Sequence, residues 1–226
     1  MPGTLYLVAT PIGNLGDFTA RAVEVLRGAA LIAAEDTRHA QILLARYEIP
    51  TPVESFYDAV ERAKTPALLR RLGEGQSVAL ISDAGTPGIA DPGGYLIPQA
   101  LAAGVPVVAI PGPCAALAAL TVSGLPMDRF VFEGYLPQKP GPRRRRLEAL
   151  TGEPRTIVCY ETPHRLMKSL AAIQEVLGDV RMSVARELTK QFEEVRRGTV
   201  AEHRAHFEHH PPRGEFVLVF RASETA

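Results

Sequence analysis

The sequence predicts an α/β protein of two domains, the first built on a mainly parallel sheet and the second on a mixed sheet. Three observations favour this fold. Short apolar runs alternate with helical patterns along the first half of the chain. Hydrophobic residues make up 46% of the 226 residues and aromatic residues only 6%, which is typical of α/β proteins rather than β-sandwiches. A stretch rich in proline and glycine, residues 124–142, then changes the pattern.

In the first half, strands and helices alternate as in a βαβ protein. The predicted strands are Thr4–Ala9, Leu31–Asp36, Ser77–Ser82 and Val105–Ile110. The predicted helices are Thr19–Ala29, Thr37–Tyr47, one within Ala59–Leu72, one that opens at Asp91, and an Ala-rich helix that ends at Ser123. Asp91 is the expected N-cap, with Pro92 at the first helical position, where proline has no N–H to lose. The strands are apolar on both faces, as a covered parallel sheet requires.

The second half predicts a mixed sheet with fewer helices. A domain boundary near Leu125–Arg129 divides the chain into residues 1–124 and 125–226. The predicted strands are Thr156–Glu161, Arg181–Leu188, Phe192–Gly198 and Gly214–Phe220. One helix starts at the cap Thr162 and Pro163, and another covers Ala201–His209.

Composition excludes several classes of protein. Cys114 and Cys159 lie in apolar stretches, which favours buried thiols over a disulfide or a metal site. The N-terminal apolar run lacks a basic flank and is too short for a signal peptide or a membrane span, so we expect a cytoplasmic protein with no membrane contact. Four histidines within His203–His210 have no Cys or carboxylate pair to support them as metal ligands, so no metal is expected.

The charge of the chain is unevenly distributed although its net charge is zero. Residues 1–112 carry 8 Lys and Arg against 11 Asp and Glu, whereas residues 113–226 carry 17 against 14. The positive charge is concentrated in three short runs: Pro142–Leu147, Ala185–Lys190 and Arg196–Gly198. Such runs can contact a polyanion in a neutral protein, or they can be solvated helix faces.

Three turn-rich loops follow apolar strands and are expected to line a ligand site. They are Thr10–Asp17, Asp83–Gly94 and Pro111–Ala116. Ligands of open parallel sheets bind beyond the carboxyl ends of the strands, and glycine lets them approach the backbone closely. Neither the G-x-x-x-x-G-K-[ST] loop nor the G-x-G-x-x-G fingerprint occurs, so a nucleotide phosphate is not the expected ligand. These loops predict a wall of a small-molecule cleft.

Successive motifs along nearly the whole chain carry a family resemblance. They include "LYLVATPIGNLGDF", "AEDTRHAQILL", "SDAGTPGIADPG", "PGPCAALAALTVSGLP", "GYLPQKPGPRRRRL", "YETPHRL", "RELTKQFEEVRRG" and "GEFVLV". Together they resemble the tetrapyrrole-methylase superfamily, and most closely its bacterial branch that methylates the ribose 2′-hydroxyl of a cytidine in 16S ribosomal RNA.

The resemblance implies two α/β domains with S-adenosylmethionine bound in the cleft between them, and a homodimer. The cofactor contacts that it implies in the first domain are Pro11, Asp83, Ala84, Gly85, Thr86, Pro87, Pro111 and Ala115. From the second domain, Tyr160 and Glu215 are expected to close over the adenine.

The resemblance also implies an RNA substrate, 16S rRNA or the 30S ribosomal subunit. The residues expected to contact it are Lys139, Arg143, Arg144, His164, Arg165 and Arg186. The four consecutive arginines follow "PQKPGP", which indicates a rigid arm suited to phosphate contact. The segment Ser55–Glu61 departs from the family pattern, so any substrate contact made there differs in this chain.

Methyl transfer to a ribose hydroxyl requires alignment and a proton acceptor. Among the second-domain candidates, which include His164, the sequence favours Glu187 and Lys190 and next Glu161. Lys190 would first have to lose its proton, which needs a desolvated or positively flanked site. All of these side chains could instead be salt-bridge partners.

Two other functions remain open at this stage. Another member of the superfamily would methylate a carbon of a tetrapyrrole, a corrinoid or sirohaem precursor, and would need a basic, aromatic-lined trough. A non-catalytic RNA-binding module is disfavoured, because the three loops have no evident use without a cofactor.

Overall fold

The computed structural model describes residues 1–222, which form two compact units divided between Cys114 and Ala115. Each unit contains one five-stranded sheet. The sequence-based prediction of two α/β domains, one mainly parallel and one mixed, is therefore confirmed.

The first unit is a parallel sheet covered by helices. Its strands are β1 (Leu5–Val8), β2 (Leu31–Ala34), β3 (Val53–Ser55), β4 (Val78–Ile81) and β5 (Val107–Ile110), in the spatial order β3-β2-β4-β1-β5. Its helices are α1 (Ala20–Gly28), α2 (Thr37–Arg46), α3 (Asp58–Gly73) and α4 (Leu96–Ala102). All its strand pairs are parallel, and β2 and β4 are buried along their whole length. The carboxyl ends of all five strands consequently lie at one edge.

The start of α4 differs from the prediction. Asp91 does not cap this helix, which begins five residues later at Leu96 with Tyr95 as its N-cap. Gly93 has a φ of +132°, so the chain turns before it can become helical. The buried Glu61 of α3 satisfies the N–H groups at this turn, because its Oε1 accepts from Gly93, Tyr95 and Leu96 at 3.0 Å each.

The second unit is a mixed sheet. Its strands are β6 (Phe130–Tyr135), β7 (Thr156–Glu161), β8 (Arg181–Arg186), β9 (Glu194–Thr199) and β10 (Phe216–Phe220), in the order β6-β7-β10-β8-β9. The pair β6–β7 is parallel and the other pairs are antiparallel. Its helices are α5 (Ala115–Thr121), α6 (Pro140–Ala149), α7 (Pro163–Leu177) and α8 (Val200–His209).

The rigid arm predicted for this half is wrong. Phe130–Tyr135 is a strand, and the four arginines lie on α6 rather than on an extended arm. Pro140 and Pro142 stand in the first turn of α6, where the missing N–H of proline costs no hydrogen bond. With the predicted boundary, residues 125–222 contain three α-helices against five in residues 1–124, so the prediction of fewer helices in the second domain is confirmed.

The units divide ten residues before the predicted boundary of 124/125. The reason is α5, which packs on β7 and β10 of the second sheet. Its buried face consists of Ala116, Ala119 and Leu120. The guanidinium of Arg197 on β9 also donates hydrogen bonds to the carbonyls of Val122 and Ser123, which satisfies groups left free at the end of α5.

Candidate functional site

Three loops meet at the carboxyl edge of the first sheet, as the sequence predicts. Thr10, after β1, exchanges two backbone hydrogen bonds with Gly85, after β4, at 2.8 and 3.0 Å. The hydroxyl of Thr86 donates to the carbonyl of Pro113, after β5, at 3.2 Å. The expected arrangement along one edge is therefore confirmed.

Glycine is required at one position of this edge. Gly85 has a φ of +83°, in the left-handed region that side chains with a Cβ rarely adopt. Its N–H and C=O both pair with Thr10, so the conformation of Gly85 sets the distance between the two loops.

Carboxylates dominate the polar groups at the same edge. Glu35 and Asp36 follow β2, and Asp83 follows β4. Asp83 Oδ1 accepts the Asp36 N–H at 2.9 Å, and the Asp83 N–H donates to Glu35 Oε2 at 3.3 Å. Hydrogen bonds from Arg38 hold the pKa of Asp36 well below its usual range. Burial raises the pKa of Glu35, and the neighbouring charge of Asp83 raises it further.

Asp91 belongs to this acidic edge although it caps no helix. Burial raises its pKa from 3.8 to about 6; the Ser82 hydroxyl opposes the shift, and the charges of Glu35 and Asp83 add to it. A raised carboxyl pKa means that the folded protein holds a proton that the unfolded chain releases. Binding of this proton stabilises the folded state. The contribution is complete below the unfolded pKa of 3.8 and is lost as the pH rises through about 6.

We expect Asp91→Asn to stabilise the protein more in neutral than in acidic solution. The amide carries no charge to desolvate, so the gain in the free energy of unfolding should be larger at about pH 7.5 than at about pH 4.5. Urea titrations of both proteins at the two pH values measure the difference. An equal gain at both pH values would contradict the assignment.

A cavity of about 120 Å³ opens beside these loops. Apolar side chains of Pro11, Leu15, Ile42 and Leu43 form much of its wall. His39 of α2 and Asp83 add polar groups, and His39 Nδ1 lies 3.3 Å from Asp83 Oδ2. The cavity thus combines an apolar wall with a paired imidazole and carboxylate.

Most of the residues expected to bind the cofactor lie at the edge of the first sheet, and they differ in their exposure to solvent. Pro11, Gly85 and Pro87 are buried in the first unit, whereas Asp83, Ala84 and Pro111 are exposed at the edge and Thr86 is half-buried. Ala115 opens α5 in the second unit.

In the second unit, Tyr160 and Glu215 lie near two strand ends. The Tyr160 hydroxyl accepts the Ala116 N–H at 3.3 Å, and its ring contacts those of Phe132 and Tyr135 edge-on. Glu215 directly precedes β10 and is exposed.

Glu187, Lys190 and Glu215 form one ion-paired cluster. Lys190 Nζ lies 2.9 Å from Glu187 Oε1 and 2.8 Å from Glu215 Oε2. Burial lowers the pKa of Lys190, but hydrogen bonds to the two carboxylates outweigh it and the net shift is upward. For Glu187, burial raises the pKa, and the Glu215 N–H and Lys190 more than compensate and lower it. Lys190 is therefore held protonated, the opposite of what a proton acceptor needs.

Glu161 is a buried partner of Arg165. Its Oε1 lies 3.2 Å from Arg165 Nε and accepts the Thr162 N–H at 2.8 Å, and its Oε2 accepts from the Ser169 hydroxyl. Arg165 also donates to the carbonyl of Leu136. The carboxylate of Glu161 is fully inaccessible to solvent, so these contacts fix the start of α7.

The arginines of α6 point in different directions. Arg143 is buried, Arg144 pairs with Glu148 and Glu175, and Arg146 pairs with Glu133. Arg145 and the preceding Lys139 are exposed, and neither pairs with a carboxylate in residues 1–222.

The remaining basic residues lie at element ends. His164 is exposed in the first turn of α7. Arg186 ends β8, with its Nε 3.8 Å from Glu194.

Comparison with known proteins identifies the family. The family model for Tetrapyrrole (Corrin/Porphyrin) Methylases matches residues 4–203. The chain belongs to the tetrapyrrole methylase family.

Two relatives of the chain carry the name "Ribosomal RNA small subunit methyltransferase I". The one from Synechocystis is 53% identical over 218 residues, which is 96% of this chain and 78% of the relative. The one from Pseudomonas aeruginosa is 53% identical over 201 residues, 88% of this chain and 71% of the relative. Within the tetrapyrrole methylase family, this chain therefore belongs to the group of methyltransferases with that name.

A solved structure agrees with the fold of the family. The uroporphyrin-III C-methyltransferase of Thermus thermophilus, complexed with S-adenosylhomocysteine, has a TM-score of 0.68 to this chain at 19% identity. The match covers 97% of each chain.

In the described part of the chain, no three His, Cys, Asp or Glu side chains are grouped as metal ligands. His203 of α8 is buried and His206 stacks on His210. Cys159 is buried and Cys114 half-buried, both as free thiols.

Among residues 1–222, no helix has the length and hydrophobicity needed to cross a membrane.

Sequence reasoning did not select three residues that build the edge. These are Glu35, His39 and Glu61. For Glu35 a signal was present, because it is a charged residue at the carboxyl end of a predicted apolar strand, where ligands of a parallel sheet bind. Nothing in the sequence indicated that Glu61 on α3 would reach the start of α4.

Proposed function

We propose that this methyltransferase moves the methyl group of S-adenosylmethionine to the ribose 2′-hydroxyl of a cytidine in 16S ribosomal RNA. The observation that carries the proposal is the 53% identity, over 96% of the chain, to a relative named for methylation of small-subunit ribosomal RNA. Its site of action is then the cytoplasm, where ribosomal subunits are made.

The oxygen-rich, negatively charged groups at the sheet edge fit S-adenosylmethionine. That molecule carries a sulfonium and an ammonium group, which carboxylates and carbonyl oxygens stabilise. Glu35, Asp36 and Asp83 supply carboxylates there, and the neighbouring Arg38 is paired with Asp36. When bound, the cofactor supplies an activated methyl group. The solved structure that holds S-adenosylhomocysteine adds support to this choice.

The proposed cofactor contacts differ in what they offer. In the loop from Asp83 to Pro87, the exposed backbone of Ala84 can contact the cofactor, whereas Gly85 already pairs with Thr10 and the Asp83 carboxylate already holds Asp36 and His39. Pro11, Pro111 and Ala115 offer apolar and backbone contacts. Tyr160 and Glu215 remain proposed contacts for the adenine.

Among the proposed catalytic residues, the surroundings favour positioning roles. Lys190 holds Glu187 and Glu215 together, and Glu161 holds Arg165. The cluster around Lys190 still fixes the backbone of Glu215, whose N–H donates to Glu187 Oε1 at 2.9 Å. We propose that this cluster shapes the site rather than accepting a proton.

RNA contact is proposed for the exposed cations before and on α6. Lys139 is among the contacts expected from the sequence, and Arg145 replaces Arg143 as the better candidate, because Arg143 is buried. Arg144, His164, Arg165 and Arg186 remain proposed contacts; Arg144, Arg165 and Arg186 already have carboxylate partners in the free protein.

We expect Lys139→Ala and Arg145→Ala together to weaken RNA binding and its salt dependence. Removing one phosphate contact should reduce the slope of log affinity against log salt by about 0.7–0.9. Filter binding of a 16S rRNA fragment between low and moderate salt measures the slope. The control is Arg143→Met, whose side chain is buried and should leave the slope unchanged; an unaltered slope in the double variant would contradict the proposal.

Transfer of tritiated methyl groups tests the proposed function. Purified protein is incubated with labelled S-adenosylmethionine and 30S subunits, naked 16S rRNA or uroporphyrinogen. We expect label in the RNA, at a nucleotide that resists alkaline cleavage because its 2′-hydroxyl is methylated. Label in the tetrapyrrole instead would favour the alternative function. Sedimentation of the same protein tests the proposed homodimer.

A further inference from the structure

The pair His39–Asp83 has a geometry suited to accepting a proton. His39 is the third residue of α2, and its side chain is 65% exposed beside the cavity. Its Nδ1 lies 3.3 Å from Asp83 Oδ2, so an Nδ1–H donates to that oxygen and the lone pair of Nε2 remains available.

Asp83 is itself held in place. Its Oδ1 accepts the Asp36 N–H at 2.9 Å, and its own N–H donates to Glu35 Oε2 at 3.3 Å. The carboxylate therefore has a fixed direction, with one oxygen for the start of α2 and the other for His39. Such an anchored partner selects one tautomer and one ring orientation of an imidazole.

We propose that His39 accepts the proton of the ribose hydroxyl that is methylated, and that Asp83 is its positioning residue. The inference rests on the proposed function. The hydroxyl O–H bond breaks and an N–H bond forms on His39 Nε2. The electron pair freed on the oxygen forms the new O–CH₃ bond, and the electron pair of the broken C–S bond stays on the sulfur. The proton then passes from His39 to water.

The charges around the pair favour this role. Glu35, Asp36 and Asp83 surround it, and the neighbouring cation Arg38 is paired with Asp36. An imidazolium formed during the reaction is therefore stabilised by a neighbouring carboxylate. The alternatives are less suited, because Lys190 is held protonated and Glu161 is inaccessible.

The activity test uses His39→Asn. The amide of asparagine can still donate to Asp83 but offers nothing in place of Nε2. We expect single-turnover methylation of 30S subunits to fall at least about 100-fold, with the affinities for RNA and cofactor unchanged. The wild-type rate should depend on pH, and this dependence should vanish in the variant. His209→Asn, at an exposed histidine of α8, is the matched control.

A second test needs no substrate. Nitrogen NMR of the ligand-free protein with labelled histidine should place the proton of neutral His39 on Nδ1, and Asp83→Ala should shift it to Nε2. If the neutral His39 imidazole of the wild-type protein carries its proton on Nε2, the inference is overturned, whatever the result of the methylation assay. A full single-turnover rate in His39→Asn also overturns it. A wild-type protein that methylates no RNA refutes the proposed function instead, while the NMR result still decides the geometry of the pair.

Discussion

Glu161→Ala should lower the free energy of unfolding of the second unit by about 3–5 kcal/mol, because it leaves the guanidinium of Arg165 without its buried partner. The substitution also removes the acceptor of the Ser169 hydroxyl and of the Thr162 N–H. Since domains are stable by only about 5–15 kcal/mol, this is a large part of the total. Hydrogen exchange of the β7 and α7 amides, with urea titration, measures the change.

Two further variants test the cause of this destabilisation. Glu208→Ala removes an exposed carboxylate of α8 and should change stability by less than about 0.5 kcal/mol. In the double variant Glu161→Leu with Arg165→Met, both charges are absent, and we expect most of the stability to be recovered. A Glu161→Ala protein as stable as the wild type would show that the pair contributes nothing.

Gly85→Val should weaken binding of S-adenosylhomocysteine about tenfold. A β-branched residue at a φ of +83° costs about 1–2 kcal/mol, so the loop would leave the conformation in which it pairs with Thr10. A cost of about 1.4 kcal/mol in reaching the ligand-binding conformation is about a factor of ten in affinity. Calorimetric titration of the folded variant measures the change.

Gly94→Val provides the control for this prediction. Gly94 lies in the same loop, its φ is not in the left-handed region, and a Cβ there would meet nothing within 4 Å. We expect its affinity for the ligand to match that of the wild type. Equal affinities in both variants would mean that the turn at Gly85 has no part in binding.

The sequence predicts the sheet of the first unit well because its strands are continuous apolar runs. β3 was missed because it is a three-residue edge strand directly after Pro52, too short for a pattern. The start of α4 was misplaced because Asp91 and Pro92 have the local signal of a helix N-terminus, whereas the turn at Gly93 depends on Glu61, distant in sequence. Local patterns do not reveal such a long-range acceptor.

The candidate site was predictable only in part. Loops after parallel strands meet by necessity at one edge, so Pro11, Asp83 and Pro111 could be grouped from the sequence. The protonation of Lys190 could not be predicted from the sequence, because it depends on Glu215, which lies 25 residues away in the chain. The run of arginines likewise indicates one basic cluster, but on α6 successive side chains turn by about 100°. One of them is buried and others are neutralised.

The order of the second sheet has a consequence for the protein during its synthesis. Of the five strands of this sheet, β10 is translated last, yet it lies in the middle, between β7 and β8. The first unit is complete once residue 114 has been made, whereas β7 lacks its antiparallel neighbour until residues 216–220 follow. At about 5–20 residues per second, the ribosome needs several seconds for that interval. Once β7 and β8 have been made, they have no strand between them to pair with until β10 follows, so the nascent second unit is the part of the chain that a chaperone would have to protect.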